Sequence, residues 1–284
     1  MLKYIIFLVS DEYYDFLMST GEKLQQNIAG TGTCCIIEKE LQKIDKELFK
    51  DPAKSGVLFV CDEPVMAGEL YQKGFPVMAV YHEGNKGASF GNLQYAAENP
   101  EELDFSAYEE AYRRICGLPL LILETEHLLV RESTVEDVDA FYRIYADPDV
   151  SKYLEELFKD PNEERAYMKS YIKQFYGFYG FGMWTVILKE TGQVIGRAGL
   201  SVREGYELPE LGFVIERAYQ GRGLGFEVCK AILAYAGEVL AFDKLQALVE
   251  EENKVSLGLL EKLGFQKREK VTIKKKEYLL MIAE

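Results

Sequence analysis

Histidine, cysteine and basic residues are all in short supply in this 284-residue chain, and each shortage removes a class of chemistry. His82 and His127 are the only histidines, and the five cysteines (Cys34, Cys35, Cys61, Cys116 and Cys229) are odd in number and contain no CxxC pair. A zinc cage needs four such ligands at set spacings and a disulfide framework needs paired thiols, so neither is expected, nor any other metal site. Lys and Arg number 33 against 47 Asp and Glu, a formal charge of −14, and neither half of the chain is basic. Phosphate backbones are gripped by surplus positive charge, so no nucleic acid partner is expected. Long apolar runs are missing as well. Tyr4 to Val9 is shorter than a signal-peptide core and is followed at once by Asp11, Glu12 and Asp15. Nothing approaches the ~20 apolar residues that cross a bilayer. No membrane partner is expected, and the cytoplasm is the expected location.

What the chain does have is apolar mass. Hydrophobic residues make up 48% and aromatics 13%, enough to offset chain entropy in a packed core, and the length suits two domains. The first reads as strand 3–9, helix 12–26, strand 33–37 and a charged helix near 38–50 ended by Asp51-Pro52. Gly56 to Val60, a helical stretch to Gly74 and the strand Phe75 to Tyr81 then form a parallel βαβ unit. A further strand at 93–97 and a closing helix at 104–116 complete it. The boundary falls between 117 and 126, giving domains 1–122 and 123–284. The second domain reads as strand 127–132, a helix opened by Ser133 or Thr134 with Glu136 and Asp137 as capping-box residues, and a helix at 162–178. Three strands at 183–189, 194–202 and 207–216 precede a helix at 223–238. A strand at 244–250, a helix at 253–262 and strands near 265–273 and 276–282 follow. The fold class is α/β (α+β), with a Rossmann-like first domain and a mixed, mostly antiparallel sheet in the second.

Chemistry concentrates in Glu210 to Gly225, ELGFVIERAYQGRGLG. A strand that runs through a glycine-rich turn into a helix offers free N–H groups and the positive end of a helix dipole, which suits phosphate. Gly221, Gly223 and Gly225 permit close backbone approach and positive φ. Similar glycine motifs fail on context. A dinucleotide fingerprint belongs on the first strand of a βαβ unit, and a P-loop needs Lys then Ser or Thr where Leu224 stands.

The Gln220-x-x-Gly223-x-Gly225 turn resembles the acetyl-CoA signature of the GNAT acetyltransferase superfamily. LLVRESTVEDVDAF (128–141), GMWTVILKETGQVIGRAGL (182–200) and NKVSLGLLEKLGF (253–265) look most like its ribosomal-protein N-terminal alanine acetyltransferase branch. The resemblance covers 126–284 and implies an acetyl-CoA-dependent N-acetyltransferase acting on a primary amine, either a protein N-terminus or a small molecule, in a ternary complex. It implies that the backbone of Phe213, Val214 and Ile215 pairs with the pantetheine arm. Gln220, Gly221, Arg222, Gly223, Leu224 and Gly225 would hold the pyrophosphate, and Asn253, assisted by Ser256, would contact the coenzyme arm. Asn253 also suits a helix N-cap. Many members place a tyrosine seven residues after that asparagine as general acid. Here the position is Leu260, which leaves an impaired acetyl-CoA-binding regulatory or interaction module as the alternative.

An attacking amine must shed a proton, and a lysine-like amine titrates near ~10.4, so a carboxylate is needed nearby. Glu210 is the first candidate because it alternates in register with Gly212 and Val214 on the strand leading to the turn. Glu207 and the run Glu250, Glu251, Glu252 compete with it. Trp184 and Tyr167, Tyr171, Tyr176 and Tyr179 read as core more than as acceptor pocket. Phe175 to Gly182 reads as a loop, and His127, where the branch usually has arginine, as structural.

KYIIFLVSDEYYD (3–15) and GVLFVCDEPVMAGELYQKGFPVMAVY (56–81) resemble a degenerate haloacid dehalogenase domain. Leu8 and Ser10 stand where its two aspartates belong, so phosphoryl transfer has no nucleophile. Asp62 retains the potential to bind a ligand at the carboxyl end of the sheet. The first domain is therefore expected to be noncatalytic, serving substrate positioning, homodimer formation or stability.

Overall fold

The computed structural model describes residues 2–28, 32–51 and 55–284. The chain divides into two compact units, Met1–Leu120 and Leu121–Glu284.

In the first unit, strands β1 (Tyr4–Leu8), β2 (Cys34–Glu38), β3 (Val57–Cys61), β4 (Val77–Val80) and β5 (Ala96–Ala97) form a parallel sheet in the order β2-β1-β3-β4-β5. Helices cover both faces, which is why β1, β3 and β4 are near-continuous apolar runs. Alternate residues Ile5 and Phe7 pack with Leu17 and Leu24 of α1 (Asp11–Ile28) and, after α2 (Pro64–Gln72), with Tyr108 and Tyr112 of α3 (Phe105–Ile115). Ile6 and Leu8 face the other way, against Ala67 and Leu70 of α2.

Two sequence expectations change here. The charged helix near 38–50 is instead a pair of single 3-10 turns, Leu41–Lys43 and Lys46–Phe49. Asp45 explains the break, because its side chain accepts a hydrogen bond from the Glu47 N–H at 3.0 Å and so starts a new turn where a helix would have continued. Pro52, expected to end that helix, lies outside the described residues. The strand at 93–97 contracts to the two residues of β5.

The second unit holds an eight-stranded mixed sheet in the order β12-β13-β11-β10-β9-β8-β7-β6. Its strands are β6 (Leu121–Glu124), β7 (Leu128–Arg131), β8 (Met183–Leu188), β9 (Gln193–Ser201), β10 (Glu210–Ile215), β11 (Leu245–Val249), β12 (Gln266–Ile273) and β13 (Lys276–Ala283). Only β10 and β11 run parallel; the other neighbours are antiparallel. Helices α4 (Val138–Tyr145), α5 (Pro148–Ser151), α6 (Pro161–Tyr171), α7 (Gly177–Tyr179), α8 (Leu224–Glu238) and α9 (Lys254–Lys262) complete the unit. β6 lies where the sequence reads as linker. Its pairing with β7 brings Leu121 and Ile122 into the second unit's sheet.

Thr134 and Asp137 form the capping box that opens the α4 region. Asp137 does more than cap, since it also takes a two-pronged bond from Arg131 at 2.7 Å and one from Thr185 Oγ1 at 2.9 Å. α6 continues through a π turn at Ile172–Tyr176 into α7, so most of the expected loop at 175–182 is helical. The aromatic residues there are held by the core. The Tyr176 hydroxyl donates to Met183 O at 2.6 Å, and Tyr171 Oη accepts from the Met183 N–H at 2.8 Å. Tyr171, Tyr176 and Trp184 are buried, whereas Tyr167 and Tyr179 are exposed.

Candidate active site

β10 pairs with β9 along all six residues, from Glu210 with Ser201 to Ile215 with Gly196, but it meets β11 only at Glu210 with Gln246. Beyond that point the two parallel strands separate. An antiparallel ladder turns alternate residues toward each neighbour. Because the Glu216 N–H donates to Ile195 O, residues 210, 212 and 214 face β9 with their backbone groups, and Leu211, Phe213 and Ile215 face the gap. The gap opens into a cavity of 580 Å³ lined by Glu210 to Phe213, Ala247 to Glu250, Asn253, Ser256 and Leu260, with Tyr153, Glu155, Arg203, Lys274 and Tyr278 among the residues closing it.

Of the strand residues expected to present backbone, Phe213 and Ile215 are placed accordingly. Val214 is not: its main-chain groups belong to the β9 ladder and its side chain packs with Ile144 and Val150. Pleat alternation is the reason. The same alternation puts Glu210, Gly212 and Val214 on one face.

At the end of β10 the Gln220 side chain donates to Ile215 O at 2.8 Å and folds the turn back on the strand. Gly221 (φ 73) and Gly223 (φ 83) are left-handed, and a Cβ on either would meet nothing within 4 Å, so both border open space. Gly225 serves another purpose. Its φ is ordinary, and a Cβ there would approach Leu259 Cδ1 at 3.3 Å and Ile215 Cγ1 at 3.8 Å, so it lets α8 sit close to α9 and β10. Leu224 is buried and anchors the first turn of α8, while the Arg222 guanidinium lies 5.7 Å from the Tyr219 ring. Among the described residues, none accepts a hydrogen bond from the N–H groups of Gly221 through Phe226. A buried helix end without partners is costly, but here the donors face outward at the positive end of a 15-residue helix.

On the opposite lip, Asn253 caps α9, its Oδ1 accepting from the Ser256 N–H at 3.1 Å. Leu260, 2% exposed, lines the cavity floor. Glu210 is not a free carboxylate. Arg203 grips it with two donors, Nη2 to Oε1 at 3.0 Å and Nε to Oε2, and this pairing holds the guanidinium even more firmly protonated than usual. Glu250 also lines the cavity, with Lys276 Nζ at 3.4 Å. Two rival carboxylates fall elsewhere: Glu207 borders a separate hollow with Pro209 and Phe242, and Glu251 pairs with Lys270 at 2.6 Å. His127 bonds Glu227 of α8 through its N–H and its ring, both at 2.9 Å.

The profile of the family described as Acetyltransferase (GNAT) domain matches residues 127–266. An uncharacterized N-acetyltransferase, p20, of Bacillus licheniformis is 31% identical over 147 residues, covering 51% of this chain and 82% of that protein. The chain belongs to the GNAT acetyltransferase family. It is an acetyltransferase enzyme. The [ribosomal protein uS5]-alanine N-acetyltransferase of Escherichia coli (strain K12) is 35% identical over 111 residues, which is 38% of this chain and 53% of that protein. A solved GNAT-family acetyltransferase of Bordetella pertussis shares the fold, with TM-score 0.51 and 22% identity over 58% of this chain and all of that chain.

Several residues of the GNAT domain's cleft escaped sequence reading. Arg203, Tyr153, Tyr278 and Lys274 come from loops and a hairpin that carry no motif. Lys274 and Lys275 left one trace: they form a hairpin turn with φ of 49 and 70, a conformation that usually selects Gly or Asn. The Lys274-Lys275-Lys276 run between two strands therefore marks an unusual turn, though not which cavity it borders.

Proposed function

We propose that this GNAT enzyme transfers the acetyl group of acetyl-CoA to a primary amine by direct attack within a ternary complex. The supporting observation is the conjunction of two features at the end of β10: the unbonded N–H groups of residues 221–226, in the turn and first helical turn that follow it, and the gap between β10 and β11. The residues present fit the coenzyme. Gly221 and Gly223 leave open exactly the space that a side chain would fill, and the N–H fan with the α8 dipole suits a diphosphate. The backbone of Phe213 and Ile215, turned into the gap, suits the amide-bearing arm, with Asn253 and Ser256 on the other lip. Acetyl-CoA supplies the activated thioester carbonyl.

The chain's own residues then have three tasks. An N–H of β10 that faces the gap, at Phe213 or Ile215, polarises the carbonyl oxygen, and a donor fixed in a ladder needs no reorganisation. Glu210, at the point where the strands part, takes the proton from the amine when its pair with Arg203 loosens on acceptor binding; Glu250 stands across the cavity as the second carboxylate. The acid that protonates the departing thiolate is not Leu260. Tyr278 and Tyr153 line the same cavity and are the hydroxyl-bearing candidates. The walls carry both charge signs, Glu155 and Glu250 against Arg203 and Lys274, so the acceptor is an amine without a fixed overall charge class.

Leu260 favours a second reading, in which the coenzyme is bound and not turned over. One assay separates the two. Acetyl-CoA with a panel of amines, from diamines to short peptides with free N-termini, releases free thiol if the first reading holds. Calorimetric binding of the coenzyme with no thiol release from any acceptor would establish the second.

A further inference from the structure

The first unit holds a crevice of 670 Å³ at the carboxyl edge of its parallel sheet. Its walls come from the segments that follow three strands: Glu12, Tyr13 and Phe16 after β1, His82 to Gly84 after β4, and Glu98, Asn99 and Glu101 after β5. Open parallel sheets bind ligands at this edge.

The crevice is acidic, and three of its acids have no ion-pair partner among the described residues. Among the described residues no Lys or Arg pairs with Glu12, Glu98 or Glu101, and the one lysine on the rim, Lys86, is engaged with Glu83 at 3.3 Å. Glu101 is the informative member. It is only 9% exposed, and its Oε2 has no hydrogen-bond partner among the described residues. An unpaired buried carboxylate is destabilising, which points to a ligand as the group that satisfies it.

The opposite wall is aromatic and fixed in place. Tyr13 stacks on His82 with centroids 4.3 Å apart and on Phe16 at 5.5 Å. His82 is locked by both nitrogens: Nδ1 accepts from the Gly84 N–H at 3.2 Å, so Nε2 carries the proton and donates to buried Asp62 at 3.1 Å. Asp62 is saturated by Ser10, whose N–H and hydroxyl lie at 2.8 and 2.5 Å. Burial pushes the Tyr13 phenol well above its ordinary range, and the negative charges of Glu101 and Asp62 add to the effect. Tyr13 thus stays a neutral ring beside a carboxylate. Aromatic faces next to unpaired carboxylates are the surroundings an organic ammonium prefers. A bare metal ion fits less well, because no group of carboxylates, cysteines and histidines among the described residues has the spacing to hold one.

We propose that this crevice binds a small organic cation, its ammonium group seated between the exposed Phe16 ring, which the buried Tyr13 backs, and the carboxylates of Glu101, Glu12 and Glu98. The site is separate from the acetyl-transfer cleft and stands whether or not that reading holds.

The test is calorimetry on the full chain without coenzyme, using putrescine and tetramethylammonium as probes, with 1-butanol and Mg²⁺ as neutral and metal controls. Saturable binding of one cation per chain is expected, with no heat from butanol. Glu101→Gln should weaken it about tenfold or more. Because that substitution removes an unpaired charge, the ligand-free variant should melt no lower than wild type. Glu98→Gln, at an exposed position that folding does not need, should weaken binding about threefold, as expected for one partly solvated charge. Absence of saturable binding would overturn the proposal, as would binding unchanged by both substitutions. Mg²⁺ binding that Glu101→Gln abolishes would overturn it in favour of a metal site. Amine binding lost in Glu210→Gln but kept in Glu101→Gln would place the amine in the second unit and likewise overturn it.

Discussion

The two sheets of this protein make their openings in different ways. In the first unit β1, β3 and β4 stay in register, and the crevice is built from side chains beyond the strand ends. In the second, β10 and β11 share a single register pair and the sheet itself divides. Under the two proposals, the crevice beyond the strand ends recognises with carboxylates and rings, whereas the split sheet recognises with main-chain donors and acceptors. On those proposals, glycines with positive φ matter at 221 and 223, and buried Glu and Tyr matter at 101 and 13.

The buried carboxylates give the comparison its energetic form. Two of the second unit's buried carboxylates are matched by arginine, Asp137 by Arg131 and Glu210 by Arg203, while Glu101 has no cation among the described residues. The largest expected effect concerns catalysis. Glu210→Gln should lower kcat between about 10²- and 10⁴-fold, the usual range for a lost general base, with coenzyme affinity little changed. Steady-state kinetics with both substrates varied checks it, and unchanged turnover would move the base to Glu250. Next comes stability. Asp137→Ala strands Arg131 and should cost about 3 kcal/mol in urea unfolding of the second unit. Burial on its own raises the Asp137 carboxyl, but the Arg131 pair and the Thr134 N–H outweigh it and hold it below the ordinary range. A group depressed in the folded state stabilises above its unfolded pKa, and that stability is lost as pH falls through the folded value. The penalty of Asp137→Ala should therefore shrink below about pH 4. The smallest effect belongs to the first unit: Ser10→Ala removes one bond to Asp62 and should cost about 1 kcal/mol, with acetyl transfer unaltered. A change in transfer rate there would tie the two units together functionally.

Much of this architecture was legible from patterning. The apolar runs at 56–60 and 75–81 marked buried parallel strands, and the strand and helix order after 127 followed from periodicity, because both signals are local. The Gln220 to Gly225 turn was readable for the same reason. What escaped depended on distant partners. β6 is a strand only because β7 accepts it, and residues 175–179 are helical where a loop was expected because Met183 ties down the hydroxyls of Tyr171 and Tyr176 beside them. Gly225 resembled its neighbours in the motif, yet its role is set by Leu259, 34 positions later in the chain. Arg203 gave no signal beside Glu210, since nothing in a loop arginine announces which carboxylate it will meet.

The proposed transfer depends on the amides of residues 221–226 acting as a diphosphate grip. Calorimetric titration of acetyl-CoA into the wild-type chain and into Gly221→Val/Gly223→Val tests it most directly. We predict one equivalent bound by wild type and affinity about 100-fold lower in the variant, the equivalent of losing one or two charge-assisted hydrogen bonds. Equal affinity in both proteins, or no binding to the wild type, would contradict it.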